Sequence, residues 1–238
     1  MTRTALVTGA SGGLGSAVAA VLAGLGYRLV LHCRTRRSRV EALGAGAGVE
    51  TLVVQADLAE LSSLEAMFEA IDGWSGSLDT VVHCAGITSE NLFVKIAEDE
   101  FDRVIRTNLT GARHVIRLAG HRMARNGGGH IILISSRVAV RGGRGLAAYA
   151  SSKSGLIALG LTAAREMAEC GIRVNTVLPG FLLSEMGLGA SETARSRART
   201  DHLLNRFGQP GEAAGFIGWL AGSEGITGQV FNVDGRPV

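Results

Sequence analysis

The chain is short of lysine. Of its 24 basic residues only Lys95 and Lys153 are lysines, and the rest are arginines. Tyrosine is as scarce, at Tyr27 and Tyr149, and proline occurs only three times. The three cysteines, Cys33, Cys84 and Cys170, form no CxxC or Cys/His spacing, so neither a disulfide framework nor a metal site is expected. No apolar run is long enough to span a membrane. The longest, Ala17 to Cys33, is broken by Gly24, Gly26 and Arg28 and reads as a helix followed by a strand. No basic-plus-apolar leader precedes the first strand, so a soluble, cytoplasmic protein is expected. Charge of one sign is also lacking: 21 acids balance scattered arginines and leave a net charge of +3. One dense basic cluster stands out, "RTRRSR" from Arg34 to Arg39. It is too short for a nucleic-acid stripe and reads as a solvated turn or a small anion site.

What is present is an apolar fraction of 46% and 34 glycines in 238 residues, enough for a compact core with tight turns. Short β-rich runs at 4–8, 28–33, 51–55, 80–84, 130–135, 172–177 and 229–233 are mostly apolar throughout, as strands buried on both faces are. Helix-like periodicity fills 14–25, 61–72, 98–125, 149–169 and 211–222. This alternation predicts βαβ units and a doubly wound parallel α/β sheet with helices on both faces, in one domain spanning 1–238. The least regular stretch, 181–207, is long for a connection and is a candidate lid. Gly187 and Gly189 are its possible hinges, and Arg195, Arg197, Arg199 and Arg206 its cations.

"VTGASGGLGSAVAAVL" leaves the first strand and opens the first helix. Gly9, Gly13 and Gly15 give GxxxGxG, which meets the needs of a dinucleotide turn: a sharp bend, close backbone approach to a pyrophosphate, and a helix packed near a strand. Helix N-terminal amides then favour phosphates. After the second strand, an acid would select NAD through its ribose hydroxyl, and an arginine a 2′-phosphate. The chain reads "LHCRTRR", with Arg34 following Cys33 and no acid before Glu41, which favours NADPH over NADH. Asp57 could hydrogen-bond the adenine amino group or cap a helix.

At the other end of such a site, Tyr149 and Lys153 stand four residues apart in "YASSK", on one face of a helix. A free phenol with a pKa near 10 is a poor acid–base group at neutral pH, and a neighbouring ammonium is expected to lower it. Arginine, with its planar fork, is a poor substitute for that compact charge. Ser136, at the carboxyl end of the fifth strand, could hold a substrate oxygen, with Ser135 as its competitor. Asn108 interrupts a helical stretch where an amide has no propensity reason to sit, and could bond backbone or water near the lysine.

Together "TGASGGLG", "ADL", "CAGI", "NLTG", "ISS", "YASSK", "VLPGF" and "ITGQVFNVDG" resemble the short-chain dehydrogenase/reductases over essentially the whole length. The resemblance implies a Rossmann-type fold and an Asn108–Ser136–Tyr149–Lys153 tetrad. In it Tyr149 donates the proton, Ser136 positions the carbonyl, Lys153 binds the nicotinamide ribose and Asn108 holds a relay water. It also implies cofactor contacts from Ser11 and Leu14 in the glycine turn, from Leu58, Ala85 and Gly86, and from Pro179 and Gly180 at the nicotinamide. A homotetramer built through 98–125, 149–169 and the last strand is implied as well. "GITSENLFVKI" and "LNRFGQP" are most similar to the reductases of 3-oxoacyl groups on an acyl carrier protein. Two departures stand out. His83 and Cys84 replace the usual asparagine pair, a change expected to affect packing rather than reaction. The carrier-docking arginines of such reductases would align near Gly127 and Cys170, leaving Arg122, Arg125, Arg165 or Arg173 to substitute.

Overall fold

A strand that is apolar throughout must be covered on both faces, so each needs helices above and below. The computed structural model, which describes residues 2–237, builds that arrangement. The strands are β1 (Thr4–Thr8), β2 (Arg28–Cys33), β3 (Thr51–Gln55), β4 (Thr80–His83), β5 (Gly129–Ile134), β6 (Ile172–Leu178) and β7 (Val230–Asn232). They form one sheet in the order β3-β2-β1-β4-β5-β6-β7, every neighbouring pair parallel. The larger helices are α1 (Gly13–Gly24), α2 (Arg37–Ala45), α3 (Leu61–Ser75), α4 (Glu98–Ile105) and α5 (Gly111–Arg125). Beyond β5 come α6 (Val138–Arg141), α7 (Ala147–Met167), α8 (Glu185–Leu188), α9 (Glu192–Thr200) and α10 (Pro210–Gly222).

Alternate strand residues feed two separate cores. Leu6, Val30, Val81, Ile131 and Val174 meet Phe68 of α3, Val115 of α5 and Leu156 of α7 on one face. Val7, Leu31, Val82, Ile132 and Val177 meet Val18 and Leu22 of α1 and Ile217 and Leu220 of α10 on the other. Each fully buried leucine or valine contributes about 1.5–3 kcal/mol relative to exposure, so these two layers fix the sheet and everything at its edge. Among the described residues no helix is long and apolar enough to cross a membrane.

Two expected elements differ. The single helix expected over 98–125 is interrupted by a π-helical turn, Arg106–Thr110, with Thr107 and Asn108 buried inside it. The arginine cluster is not a plain turn: Arg37–Arg39 form the first turn of α2, with no acid there to oppose the helix dipole. The stretch 181–207 is also more regular than its composition suggests, since Ser184 and Ser191 cap α8 and α9 through Gly187 and Ala194 amides.

Candidate active site

In a parallel sheet all carboxyl ends lie along one edge, and ligands bind there where the strand order reverses. Here the order reverses between β1 and β4. The residues singled out in the sequence follow directly on those strand ends: Gly9 after β1, Arg34 after β2, Asp57 and Leu58 after β3, Ala85 and Gly86 after β4, Ser136 after β5, and Pro179 and Gly180 after β6. The fold therefore brings all of them to one edge.

The glycine turn passes very close to the β4 end. Gly9 has φ +68°, and a Cβ there would lie 2.8 Å from the Ala85 Cα. The Gly9 amide is already committed, donating to Nδ1 of buried His32 at 3.2 Å, while His32 Nε2 lies 3.0 Å from the Ala56 carbonyl. An amide donor at Nδ1 fixes the proton on Nε2, and burial lowers the His32 pKa, so this ring is neutral. His32 thus ties the glycine turn to the segment carrying Asp57, a link that one histidine in an apolar strand does not announce. Beyond it, the first amides of α1, at Gly13, Leu14 and Gly15 beside Ser11, have no carbonyl of their own helix to donate to, and so are placed for an anion. Gly9→Ala is expected to destabilise the chain by about 1–3 kcal/mol from backbone conformation alone, more with the Ala85 contact. Denaturant unfolding checks it; an unchanged midpoint would show that the turn relaxes freely.

Asp57 uses one carboxylate oxygen to accept from the Ala59 amide at 2.9 Å, and its own amide donates to Ser63 Oγ at 3.0 Å. The helix cap itself is Glu60. Leu58 is buried, and its carbonyl would stand 2.6 Å from a Cβ on Gly111, so the start of α5 can come this close only as glycine. At the far side of the edge, Gly180 has φ +82° and faces Asp234, whose Cγ a Cβ would approach to 2.6 Å.

Tyr149 and Lys153 lie on α7, as expected. Lys153 is 3% exposed, and its ammonium donates to the Ile134 carbonyl at 2.7 Å. It stands 5.8 Å from the Tyr149 ring centroid. Gly86 faces this group: a Cβ there would sit 3.3 Å from both Lys153 Nζ and Asn108 Oδ1. Burial pulls the Lys153 pKa down to about 8. Tyr149 differs from expectation. Its pKa is raised, by burial first, and the group that pulls it down is the nearby Ser136 hydroxyl, not the ammonium. The reason is geometric, since the lysine is anchored on the β5 carbonyl rather than on the phenol.

The two serines separate cleanly. Ser135 is buried and donates to the Lys153 carbonyl at 2.8 Å, locking α7 onto β5. Ser136 lies near enough to Tyr149 to lower its pKa, and among the described residues its hydroxyl accepts from the Val138 amide at 3.4 Å. Asn108 sits in the π-turn with its amide spent on structure. It accepts from the Ile87 amide at 2.8 Å and donates to the Ile87 carbonyl at 2.9 Å and to Ser152 Oγ at 3.0 Å. Of the partners open in the sequence, the described residues show the backbone one, at Ile87.

His83 is fully buried, with Nδ1 3.0 Å from Thr8 Oγ1 and no partner for Nε2 among the described residues. Thr8 Oγ1 also accepts from the Ala85 amide at 3.2 Å, so His83 braces the strand ends under Gly9 and Ala85. Burial, with the Lys153 ammonium beside it, pushes its pKa down to about 3, and burial pushes the Cys84 thiol up to about 12. Neither titrates near neutrality.

The family model described as enoyl-(acyl carrier protein) reductase matches residues 9–235. The chain is 39% identical over 240 residues to a 3-oxoacyl-acyl-carrier-protein reductase of Staphylococcus aureus, covering 99% of this chain and 98% of that one. The chain belongs to the short-chain dehydrogenase/reductase family. Further relatives are the nodulation protein G of Rhizobium sp., 35% identical over 98% of this chain and 96% of that one, and the 3-oxoacyl-acyl-carrier-protein reductase of Escherichia coli, 34% identical with the same coverage. As a short-chain dehydrogenase/reductase it is an NAD(P)-dependent oxidoreductase acting between a carbonyl and a hydroxyl. The residues fit such a cofactor on their own terms, because α1 starts without a side-chain cap and its first amides lie at the carboxyl edge of the sheet, where a pyrophosphate could take them.

Two of the four arginines of the 181–207 segment are already engaged within the chain. Arg206 forks onto Glu212 at 2.9 and 2.8 Å, and Arg195 donates to the Leu188 carbonyl at 2.8 Å. Neither Gly187 nor Gly189, the expected hinges, has a positive φ. Gly187 instead lets α8 press against the Leu182 carbonyl.

Proposed function

We propose that the protein reduces the 3-keto group of an acyl thioester carried on an acyl carrier protein, using NADPH, in fatty-acid or polyketide-type synthesis in the cytoplasm. The observation that carries this reading is the Ser136–Tyr149 hydroxyl pair beside a buried ammonium at the carboxyl edge of the sheet. Two hydroxyls side by side suit one carbonyl oxygen. Ser136 donates a hydrogen bond to that oxygen and orients it. Tyr149, kept protonated at neutral pH by burial, transfers its proton to the oxygen as charge develops there. Bound NADPH supplies the hydride that the carbonyl carbon receives. Lys153 offers its ammonium to the ribose hydroxyls, while Asn108 holds the Ile87 backbone and through it the loop after β4. Gly13, Leu14 and Gly15 hold the pyrophosphate, Arg34 the 2′-phosphate, Asp57 the adenine, and Pro179 and Gly180 the nicotinamide side. Arg34 suits its role because, among the described residues, its side chain makes no ion pair.

The surroundings of the mouth favour an apolar chain over a sugar. Phe93 and Val94 of the loop after β4 are 80% and 86% exposed, and Leu183, Met186 and Leu188 are exposed on the facing segment. Glu90 and the Ser191 amide join the two sides at 3.4 Å. For the carrier, Arg125 and Arg165 remain exposed on α5 and α7, whereas Arg122 is forked onto Asp72 and Arg173 onto the Ser223 carbonyl. The outer faces of α5 and α7 form a groove lined by Ile116, Leu159 and Met167, the surface through which we expect subunits to pair into a homotetramer.

The description of the family model points instead to an enoyl substrate. Oxidation of NADPH, measured with a carrier-bound 3-oxoacyl thioester, its enoyl counterpart, an N-acetylcysteamine mimic and simple ketones, separates the readings. The 3-oxoacyl carrier substrate is expected to exceed the mimic in kcat/KM by roughly tenfold or more, an advantage that shrinks as salt screens exposed charges. Faster enoyl reduction would overturn the assignment, and equal rates for mimic and carrier substrate would leave a small-ketone reductase.

A further inference from the structure

The arginine cluster after β2 is already occupied by an anion of this chain. Arg36 and Arg39 both donate to the carboxylate of Glu185, the first residue of α8, across 149 and 146 positions of sequence. The neighbouring Ser184 packs over the glycine turn, its Cβ 2.8 Å from where a Gly13 Cβ would lie. The Ser184–Glu185 pair therefore reaches from the start of α1 to the start of α2, the two places a dinucleotide's phosphates must reach. The charge at the second place calls for an anion. Arg37–Arg39 crowd the positive end of α2, and no acid stands in its first turn. Arg37 is neutralised within its own helix by Glu41 at 2.8 Å, which leaves Arg36 and Arg39 to whatever anion arrives.

We propose that Glu185 sets cofactor specificity and couples it to the segment over the site: its carboxylate holds two arginines that would otherwise join Arg34 on a 2′-phosphate, so a 2′-phosphorylated cofactor releases α8 whereas an unphosphorylated one does not. The inference rests on the reading of NADPH as cofactor. A phosphomonoester carries about −1.5 to −2 charge at neutral pH against −1 for a carboxylate, so it wins the contest for two guanidiniums. A ribose hydroxyl carries none and leaves the clasp closed. Coupling between the two events is reciprocal: the clasp weakens phosphate binding by the same factor by which bound phosphate weakens the clasp, so removing the clasp tightens the phosphate.

The test uses 2′,5′-ADP and ADP as probes on the whole chain, titrated by calorimetry at low salt into wild type, Glu185→Gln and, as a charge control, Glu192→Gln. Loss of two exposed ion pairs predicts roughly three- to tenfold tighter 2′,5′-ADP binding by Glu185→Gln. ADP affinity stays within about twofold, the control behaves as wild type, and the gain fades as salt is raised. Amide exchange over 182–188 should rise when wild type binds 2′,5′-ADP and stay unchanged with ADP. If wild type prefers 2′,5′-ADP but Glu185→Gln binds it equally or more weakly, Glu185 does not compete and the proposal is overturned, with NADPH untouched. If no variant prefers 2′,5′-ADP to ADP, the NADPH reading and the proposal fall together.

Discussion

Replacing Tyr149 with phenylalanine is expected to cut turnover by roughly a hundred- to ten-thousand-fold, the usual worth of a general acid. Cofactor affinity should stay within a few-fold. The ring keeps its place on α7, so packing is preserved, and only the proton is lost. The phenol is held in its protonated form by burial, the state that reduction needs and alcohol oxidation does not. The oxidation direction should accordingly be slow at neutral pH and gain as pH rises, while reduction does not. Ser136 remains in the variant to take the oxygen as proposed, so substrate affinity is expected to change less than kcat. Retention of more than about a tenth of wild-type turnover would remove Tyr149 from the proton-transfer step.

Lys153 carries the second large effect, and it has opposite signs for activity and stability. Its ammonium is buried between the Ile134 carbonyl and Gly86, with only 3.3 Å to a would-be Cβ, so a guanidinium fork cannot take its place. Lys153→Arg should lose at least about a hundredfold in turnover despite keeping its charge. Lys153→Met should lose as much and yet unfold at a higher temperature than wild type at pH 7. In the folded chain the lysine pKa falls to about 8 from an ordinary 10.5. Between these values the unfolded chain binds the extra proton, so wild-type stability climbs with pH across that window. The charge costs stability below about pH 8, and the methionine escapes that cost. The advantage of Lys153→Met should therefore shrink from pH 8 toward pH 10.5, as the wild-type lysine gives up its proton. Thermal unfolding across that range checks it; a methionine variant less stable at pH 7 would show that the Ile134 hydrogen bond outweighs the buried charge.

Most of this site was legible because its demands are local. A glycine turn after a first strand, a serine at a strand end, and a tyrosine and lysine one turn apart are each set by spacing within a few residues. Parallel topology then carries them to one edge without further information. What escaped was settled by contacts distant in sequence. The role of His32 depends on Gly9 and Ala56 meeting its two nitrogens, and the choice between Ser135 and Ser136 on which hydroxyl faces the Lys153 carbonyl. The π-turn at Asn108 is one residue of extra winding inside an otherwise helical pattern, and periodicity alone does not resolve that. The lowering of the tyrosine pKa by lysine failed for a similar reason, since side-chain spacing on a helix does not say what each terminal group bonds to. The arginine cluster left a solvated turn and an anion site equally open, because its partner, Glu185, lies too far along the chain to be paired with it by reading.

The segment over the site leaves and rejoins the sheet edge at one point. Leu182 pairs with Gly208, the Leu183 amide donates to the Gly208 carbonyl at 3.0 Å, and Phe181 packs on Phe207 at 5.5 Å between ring centroids. An excursion that starts and finishes at adjacent residues is a cassette, and on that ground alone it could be transplanted between relatives to move substrate preference. Its far end is not free, however. The Leu203 amide donates to the Gly235 carbonyl at 3.0 Å, His202 lies 3.7 Å from the Asp234 carboxylate, and Arg137, next to Ser136, donates to the Pro237 carbonyl at 3.1 Å. A chimera that exchanges 183–207 alone would set a foreign cassette on a native tail and misplace the residue beside Ser136. Residues 234–237 must travel with it, so this excursion is structurally two stretches of chain, not one.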